Sequence, residues 1–311
     1  MTLASASGKA ILFGEHAVVY GQPAIAVPLS HIRATVQVEN LDPGTTGVLI
    51  EAPDISQSYW LHKADGENPL TSAVRLTLDE LGVEAPVDIH LTIRSQLPIA
   101  SGLGSSAAVS VAVIRALSAH LEKPLEVETI SKIAYRVECL HHGTPSGIDN
   151  TVVAYEKPVY FIRENEPELI PISSPLNLII GDTGVSMRTS IPVSLLRERW
   201  EKDPGTYGGW FEEIGEIVIN ARTMLETGSI ESLGTLMDQN QALLEDMGLS
   251  SFELQGLIRA ARKAGALGAK LSGAGMGGIM LALVEPDTAQ IIETALREAG
   301  AKQVFITEVA E

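Results

Sequence analysis

The chain has 311 residues, of which 45% are hydrophobic and 20% are charged, which is enough for one large or two ordinary packed domains. Its 39 acidic and 22 basic residues give a net charge of −17, which argues against a nucleic-acid partner. No apolar run is as long as the roughly 18 residues that a membrane-spanning helix needs. Residues 1–9 lack the basic and apolar pattern of a secretory signal. Cys139 is the only cysteine, so internal disulfides are excluded. Together with the lack of a membrane span, this leads us to expect a cytoplasmic protein without membrane contact.

Hydrophobic periodicity predicts a first half that mixes strands and helices. The predicted strands are 9–14, 24–39, 48–52, 58–61 and 87–93, and the predicted helices are 70–81, the segment from the glycine-rich turn to about 121, and 127–142. Residues 151–163 are predicted as one or two strands. Three prolines between 164 and 175 indicate a boundary, so we expect domains at 1–170 and 171–311.

The second half has an α+β pattern. Strands are predicted at 176–181, 266–271, 279–284 and 303–309. Helical periodicity covers 192–264, with interruptions near 203–209 and at Gly228 and Gly248, and a further helix is predicted at 286–299.

Residues 98–108 read PIASGLGSSAA and place two glycines directly before a helix. Such a turn points several unpaired N–H groups and the positive end of the helix dipole at one spot, which is a phosphate-binding arrangement. Ser105 and Ser106 can offer an oxygen to a magnesium ion on the phosphates. The alternative is that these serines simply cap a buried helix.

Residues 138–150 read ECLHHGTPSGIDN. Glu138 is predicted near the end of a helix, where the dipole disfavours an acid, so it needs a compensating partner such as a metal. Asp149 follows a Pro-Ser-Gly turn, and a turn-capping role is its alternative. The spacing of Glu138 to His141 and His142 also fits two ligands of a zinc site, for which no third ligand stands at a suitable spacing.

Two further segments complete the set of motifs. Residues 8–21 read GKAILFGEHAVVYG, so Lys9 opens a predicted strand whose end carries Glu15 and His16; a surface turn is the alternative. Residues 270–278 read KLSGAGMGG, a concavity suited to an anion, but a predicted strand follows where a dinucleotide motif needs a helix. The G-x-G-x-x-A match at residues 102–107 leaves a dinucleotide-binding oxidoreductase as an alternative.

Two glycine loops, a lysine, two acids and a magnesium hydroxyl are the parts of phosphoryl transfer. Together the segments resemble the GHMP kinase superfamily, and within it the mevalonate kinase family: the opening GEH motif, the superfamily-wide P-x-x-x-GLGSSAA, the HGTPSGIDN segment with Glu138 upstream, and KLSGAGMGG. The resemblance spans residues 8–284, although residues 182–189 follow the substrate-loop pattern only loosely.

The resemblance implies an α/β (α+β) fold with a ribosomal-S5-domain-2-like N-terminal domain and a ferredoxin-like C-terminal domain. It implies ATP-dependent phosphorylation of the C5 hydroxyl of mevalonate, with Asp149 as the base, Lys9 assisting, and Mg²⁺ held by Ser106 and Glu138. The implied ATP-binding residues are Pro98, Gly102, Leu103, Gly104, Ser105, Ser106 and Ala107. The implied mevalonate-binding residues are Glu15, His16, Ser146, Gly147, Thr183, Gly273, Ala274 and Gly275.

Three alternatives accompany this hypothesis. The first is another small-molecule kinase of the superfamily, acting on a phosphorylated mevalonate or a sugar. The second is the oxidoreductase, and the third is a sensing relative that binds without turnover, which the presence of Lys9, Glu138 and Asp149 disfavours. A homodimer stays open as the oligomeric state.

Overall fold

The computed structural model describes residues 1–64, 68–83, 87–98, 102–142, 145–185 and 190–310. Contacts between residues divide the chain into two compact units. The first unit comprises Met1–Gly8, Ile32–Ile99 and Gly104–Glu156, and the second comprises Lys9–His31, Ala100–Leu103 and Lys157–Glu311. Each unit is assembled from segments that are distant in sequence, and the boundary expected at residue 170 stays a prediction.

The first nine helices and strands lie in the part of the chain up to residue 155. They are β1 (Thr2–Phe13), β2 (Ala24–Asn40), β3 (Val48–Ala52), β4 (Gln57–Trp60), α1 (Pro69–Glu80), β5 (Ile89–Ser95), α2 (Ser105–His120), α3 (Val127–His142) and α4 (Ile148–Tyr155). In the first unit the strand order is β4, β3, β5, β2, with β3 parallel and β2 antiparallel to β5. Burial alternates along β2 from Ile32 to Val38, as the sequence pattern predicts, whereas its first six residues are all buried.

The helices of the first unit form a layer in which α2 and α3 contact each other and both α1 and α4, and α2 also contacts β5. The helices α2 and α3 each have 16 residues, follow one another in the chain and pack together. Consecutive packed helices with a short connection run antiparallel, so the start of α2 and the end of α3 lie at the same end of this pair. Because α4 begins soon after α3 ends, its first turn is placed at that end as well.

The remaining elements belong to the second unit. They are β6 (Val159–Phe161), β7 (Glu168–Leu169), β8 (Leu176–Asp182), α5 (Ser190–Lys202), α6 (Pro204–Thr227), α7 (Ile230–Asp246), α8 (Phe252–Lys263), β9 (Gly268–Ser272), β10 (Ile279–Leu283), α9 (Ala289–Glu298) and β11 (Gln303–Val309). Four strands form an antiparallel sheet in the order β11, β8, β10, β9. With α8 and α9 packed on it, this sheet has the ferredoxin-like β-α-β-β-α-β sequence of elements, which confirms the predicted fold class.

The outer edge of this sheet is covered by α7, which packs against β9. The side chain of Asp238 accepts a hydrogen bond from the Ala269 N–H at 2.9 Å, and that of Gln241 accepts one from the Leu271 N–H at 2.8 Å. These two α7 side chains satisfy main-chain donors that an edge strand otherwise leaves unpaired. All five residues of β9 are buried as a result.

Two sequence predictions need correction. The strand prediction over 151–163 is wrong for residues 151–155, which belong to α4, whereas β6 lies within its second part. Val152 and Val153 are both buried, so this helix shows no amphipathic period and its β-branched run looks like a strand. The interruption predicted near 203–209 is confined to Asp203, whose side chain caps α6.

In the described ranges, no helix combines the length and the apolar character that crossing a bilayer requires.

Candidate active site

The glycine-rich turn is anchored by its central residue. Gly102 and Gly104 have φ values of 83° and 72°, which glycine adopts without a steric penalty. Leu103 is fully buried, and its carbonyl accepts a hydrogen bond of 2.9 Å from the Lys9 N–H. A Cβ at Gly102 would meet open space, so the main chain there is accessible to a ligand. Leu103 can therefore contribute only main-chain atoms to a phosphate site.

The start of α2 has the features of an anion site. Gly104 is its N-cap residue and has no side chain to cap the helix, so among the described residues the first-turn N–H groups lack the usual N-cap acceptor. Ser105 and Ser106 therefore do not serve as helix caps. The Oγ atom of Ser106 is buried and has no hydrogen-bond partner among the described residues. A buried hydroxyl without a partner costs about 1–3 kcal/mol, which a bound ligand would offset.

Glu138 supplies a carboxylate on the neighbouring helix. It lies near the end of α3 with only 6% of its surface exposed, at the same end of the helix pair as Ser106. One carboxylate and one hydroxyl, completed by phosphate oxygens and water, fit the oxygen coordination that Mg²⁺ prefers. No three His, Cys, Asp or Glu side chains in the described ranges group closely enough to hold a metal on their own. His141 instead hydrogen-bonds Ser72 at 3.1 Å.

Asp149 is held in the first turn of α4. Gly147 is the N-cap residue with a φ of 86°, so Asp149 lies inside the helix and does not cap a turn. A helix N-terminus favours a negative charge at this position. The amide of Asn150, the next residue, donates to the Ser131 Oγ at 2.9 Å and so fixes α4 on α3. Ser146, just before the helix, is exposed.

In the second unit, Glu15 forms a fully buried ion pair with Lys270. Burial raises the pKa of the Glu15 carboxyl and lowers that of the Lys270 ammonium group, and their mutual attraction opposes both shifts. The charge of Lys9, which is itself buried near the start of the same turn-bearing segment, also favours the ionised form of Glu15. One carboxylate oxygen of Glu15 is thus used in an ion pair within the protein.

His16 follows with a φ of 61° and a ψ of −48°, a positive-φ conformation outside the αL region that residues other than glycine rarely adopt. Its Nε2 donates to the Ala274 carbonyl at 2.8 Å, and because a carbonyl only accepts, the proton is on Nε2. Burial lowers the pKa of His16, and the bond to Ala274 only partly offsets this effect. The ring is therefore neutral near pH 7, with Nδ1 as an acceptor.

The glycines of the loop after β9 are required for two different structural reasons. Gly273 has a φ of 88° and a Cβ there would meet open space. Gly275 has a φ of 77°, and a Cβ there would overlap the Leu249 carbonyl. Gly277 is likewise closed in, by the main chain of Val185. Of Gly273, Gly275 and Gly277, the first leaves room for a ligand next to the main chain and the other two are closed in, so packing explains part of the glycine run.

Thr183 is hydrogen-bonded to the end of the same loop. Its Oγ1 donates to the Gly278 carbonyl at 2.8 Å, and its N–H donates to the same oxygen at 2.9 Å. The hydroxyl also accepts from the Val185 N–H at 3.2 Å. Thr183 thus fixes the end of β8 against the loop. Residues 99–101, 143–144 and 186–189 of the predicted motifs lie outside the described residues, as does the side chain of His142.

Sequence reasoning did not single out Lys270 and Ser272, which the structure bonds to the segment that carries Glu15. Both lie in β9, where every residue is buried, and Ser272 Oγ donates to the Ile11 carbonyl at 2.8 Å. The signal in the sequence is a lysine inside an otherwise apolar and small-residue strand, since a lysine is almost never fully buried without a partner. The identity of that partner is visible only in the fold.

Comparisons with known proteins agree with this architecture. Residues 68–157 match the GHMP kinases N terminal domain, and residues 221–302 match the GHMP kinases C terminal family. The mevalonate kinase of Pyrococcus abyssi is 38% identical over 320 residues, which cover 96% of this chain and 93% of that protein.

Solved structures give the same assignment. L. major mevalonate kinase in complex with R-mevalonate is 30% identical with a TM-score of 0.86, covering 100% of this chain and 96% of that one. The phosphomevalonate kinase of Streptococcus pneumoniae, at 19% identity, a TM-score of 0.79 and coverage of 98% and 100%, shares the fold. On the identity and coverage of these matches, the chain belongs to the mevalonate kinase family of the GHMP kinases.

Proposed function

We propose that this chain transfers the γ-phosphoryl group of ATP to the C5 hydroxyl of mevalonate, giving 5-phosphomevalonate and ADP. The observation that carries the proposal is the 38% identity to a mevalonate kinase over 96% of the chain. The uncapped start of α2 behind the Gly102–Gly104 turn supports a phosphate-bearing substrate. Membership of a kinase family argues against the alternative that the chain is an oxidoreductase.

The phosphates of ATP are bound by the turn and the start of α2. Main-chain N–H groups at Gly102–Ala107 surround the phosphates, and Pro98 stands before the turn. Ser106 and Glu138 hold the magnesium ion, since one has a buried hydroxyl that lacks a partner and the other a buried carboxylate. When bound, Mg²⁺ neutralises charge on the phosphate oxygens.

Asp149 and Lys9 act on the acceptor alcohol. An alcohol is a weak nucleophile at neutral pH, so Asp149 takes the C5 hydroxyl proton as that oxygen forms a bond to the γ-phosphorus. The bond from this phosphorus to the bridging oxygen breaks, and ADP leaves. Lys9 stabilises the negative charge that develops.

The proposed mevalonate contacts are carried by several of the motifs. His16 offers its Nδ1 to the substrate. Gly273, Ala274 and Gly275 offer main-chain atoms next to the open space at Gly273. Thr183, Ser146 and Gly147 complete the proposed set. Glu15 supports His16 from the preceding position, because Lys270 bonds one oxygen of its carboxylate. A cytoplasmic location, the lack of a nucleic-acid partner and a homodimer stay predictions.

Steady-state kinetics of the purified protein tests the substrate. With MgATP and a panel of mevalonate, 5-phosphomevalonate, galactose and homoserine, ADP release should be appreciable only with mevalonate, and phosphorus NMR should identify a C5 phosphate ester. Turnover confined to another acceptor would identify a different kinase of the superfamily. Binding of MgATP and mevalonate without turnover would identify a sensing protein.

Two substitutions test the base. Asp149→Asn and Asp149→Ala should each lower kcat by about 10²–10⁴-fold while MgATP still binds, because a general base contributes that much. Asp79→Asn on the exposed side of α1 is the matched control and should keep full turnover. Near-normal kcat in both Asp149 variants would remove this residue from the mechanism.

A further inference from the structure

The buried ion pair in the second unit is costly to form. Lys270 has no exposed surface, and its Nζ donates both to Glu15 and to the Leu271 carbonyl, the latter at 2.7 Å. A pair of apolar residues of similar volume is often at least as stabilising as a buried ion pair. Fold stability alone therefore does not explain why a strand buried at every position carries a lysine.

The pair belongs to a regular set of contacts. Side chains or carbonyls at positions 270, 272 and 274 each bond to the segment that runs from β1 into its following turn. Lys270 and Ser272 are alternate residues of the extended strand β9, so their side chains point to one face and towards that segment, and the loop adds the Ala274 carbonyl. Lys270 bonds to Glu15, Ser272 to the Ile11 carbonyl, and Ala274 to His16.

Within this set, only the contact of Lys270 involves charge. Glu15 lies directly before His16, and its second carboxylate oxygen is buried with no hydrogen-bond partner in the described part of the chain. The orientation of Glu15 therefore depends on its single strong partner, Lys270, together with the field of Lys9. Gly14, before Glu15, packs so tightly against Pro23 and Ala24 that a Cβ there would overlap their atoms, so the start of this turn has no alternative position.

We propose that Lys270 is a positioning residue for the acceptor substrate: by holding Glu15 it sets the orientation of His16 and of the Gly273–Gly275 main chain. The inference rests on the proposed function, which assigns these groups to mevalonate. Because Lys270 is completely buried, it acts through its neighbours and does not touch the substrate. Its loss should therefore affect the KM for mevalonate and leave the KM for MgATP unchanged.

A charge-balanced series tests this role. We would compare Lys270→Met, Glu15→Gln and the double variant, with Lys263→Met on the exposed face of α8 as the control for loss of a lysine charge. Circular dichroism and thermal unfolding report folding, and steady-state kinetics report both KM values. Lys270→Met and the double variant should each raise the KM for mevalonate about tenfold or more, since small misplacements of binding groups carry large penalties.

The double variant separates positioning from charge balance. It leaves no unpaired buried charge, so it should regain most of the thermal stability lost in either single variant. If Lys270 only balances charge, the double variant will also regain the wild-type KM for mevalonate, and the proposal is overturned. A raised KM in a stable double variant supports it, even if Lys270→Met alone does not fold.

This outcome is distinguishable from failure of the proposed function. The kinetic series is run with whichever acceptor alcohol the wild-type enzyme phosphorylates. If that acceptor is not mevalonate, the proposed substrate is wrong, while a raised acceptor KM in the double variant still supports the positioning role. Equal effects on the KM of the acceptor and of MgATP would overturn it.

Discussion

The loop after β9 offers a matched pair of substitutions, Gly273→Ala and Gly275→Ala. Both glycines have left-handed φ values, 88° and 77°, so both variants carry the same backbone penalty of about 1–2 kcal/mol. They differ in their surroundings, because an added methyl group meets open space at Gly273 and the Leu249 carbonyl at Gly275. The pair therefore separates packing from ligand access within one loop.

The additional cost at Gly275 can be worked from its contact. The Leu249 carbonyl accepts the Met276 N–H at 2.6 Å, and the new methyl group would displace it. Overpacking typically costs about 1–3 kcal/mol, so Gly275→Ala should lower the free energy of unfolding by about 2–5 kcal/mol in total. Gly273→Ala should lower it by only about 1–2 kcal/mol.

Activity should follow a different order from stability. The methyl group of Gly273→Ala occupies the open space assigned to mevalonate, so this variant should raise the KM for mevalonate although it stays the more stable of the two. Urea unfolding followed by tryptophan fluorescence gives the stabilities, and kinetics at saturating MgATP gives the KM. Equal destabilisation of both variants, or a wild-type KM in Gly273→Ala, would refute the reasoning.

Two remaining predictions concern the metal site and pH. Ser106→Ala should not destabilise the ligand-free chain, because its buried hydroxyl has no partner among the described residues, yet it and Glu138→Gln should raise the Mg²⁺ concentration needed for half-maximal turnover at fixed ATP. An unchanged magnesium titration would exclude both as ligands. Burial lowers the pKa of His16, so the unfolded chain takes up its proton first and stability should decrease as pH falls below the ordinary histidine value of 6.5. Urea unfolding at about pH 7.5 and about pH 5.5 should show a smaller decrease in stability for His16→Asn than for the wild type; an identical decrease would contradict this role.

Local patterns were sufficient to predict most of the fold. The alternation on β2 comes from a sheet with one buried face, and Gly228 and Gly248 end helices with φ values of 74° and 73°. Both signals act over a few residues, so they are readable without the fold. The prediction was wrong at α4 because a helix buried on several sides has no period to read.

The site was predictable as a set of segments but not as a set of contacts. The partner of Glu15 is Lys270, 255 positions away, and no local pattern links the two. Sequence spacing likewise gives Gly273 and Gly275 the same weight, although only the second is closed in by another main chain. Contacts of this kind depend on which strands become neighbours, which is a property of the whole unit.

Within the predicted motifs, the features that packing does not explain indicate which residues contact a ligand. Leu103 and Gly275 are accounted for by burial and close packing within the protein. In contrast, the buried hydroxyl of Ser106 lacks a partner, and Gly102 and Gly273 adopt left-handed conformations beside open space. Comparable departures occur outside these motifs, for example at the Thr71 hydroxyl and at Gly82, so it is their occurrence together within the glycine-rich motifs that indicates a ligand site. The same criterion sorts the glycine-rich motifs into a part that builds the loops and a part that faces the substrates.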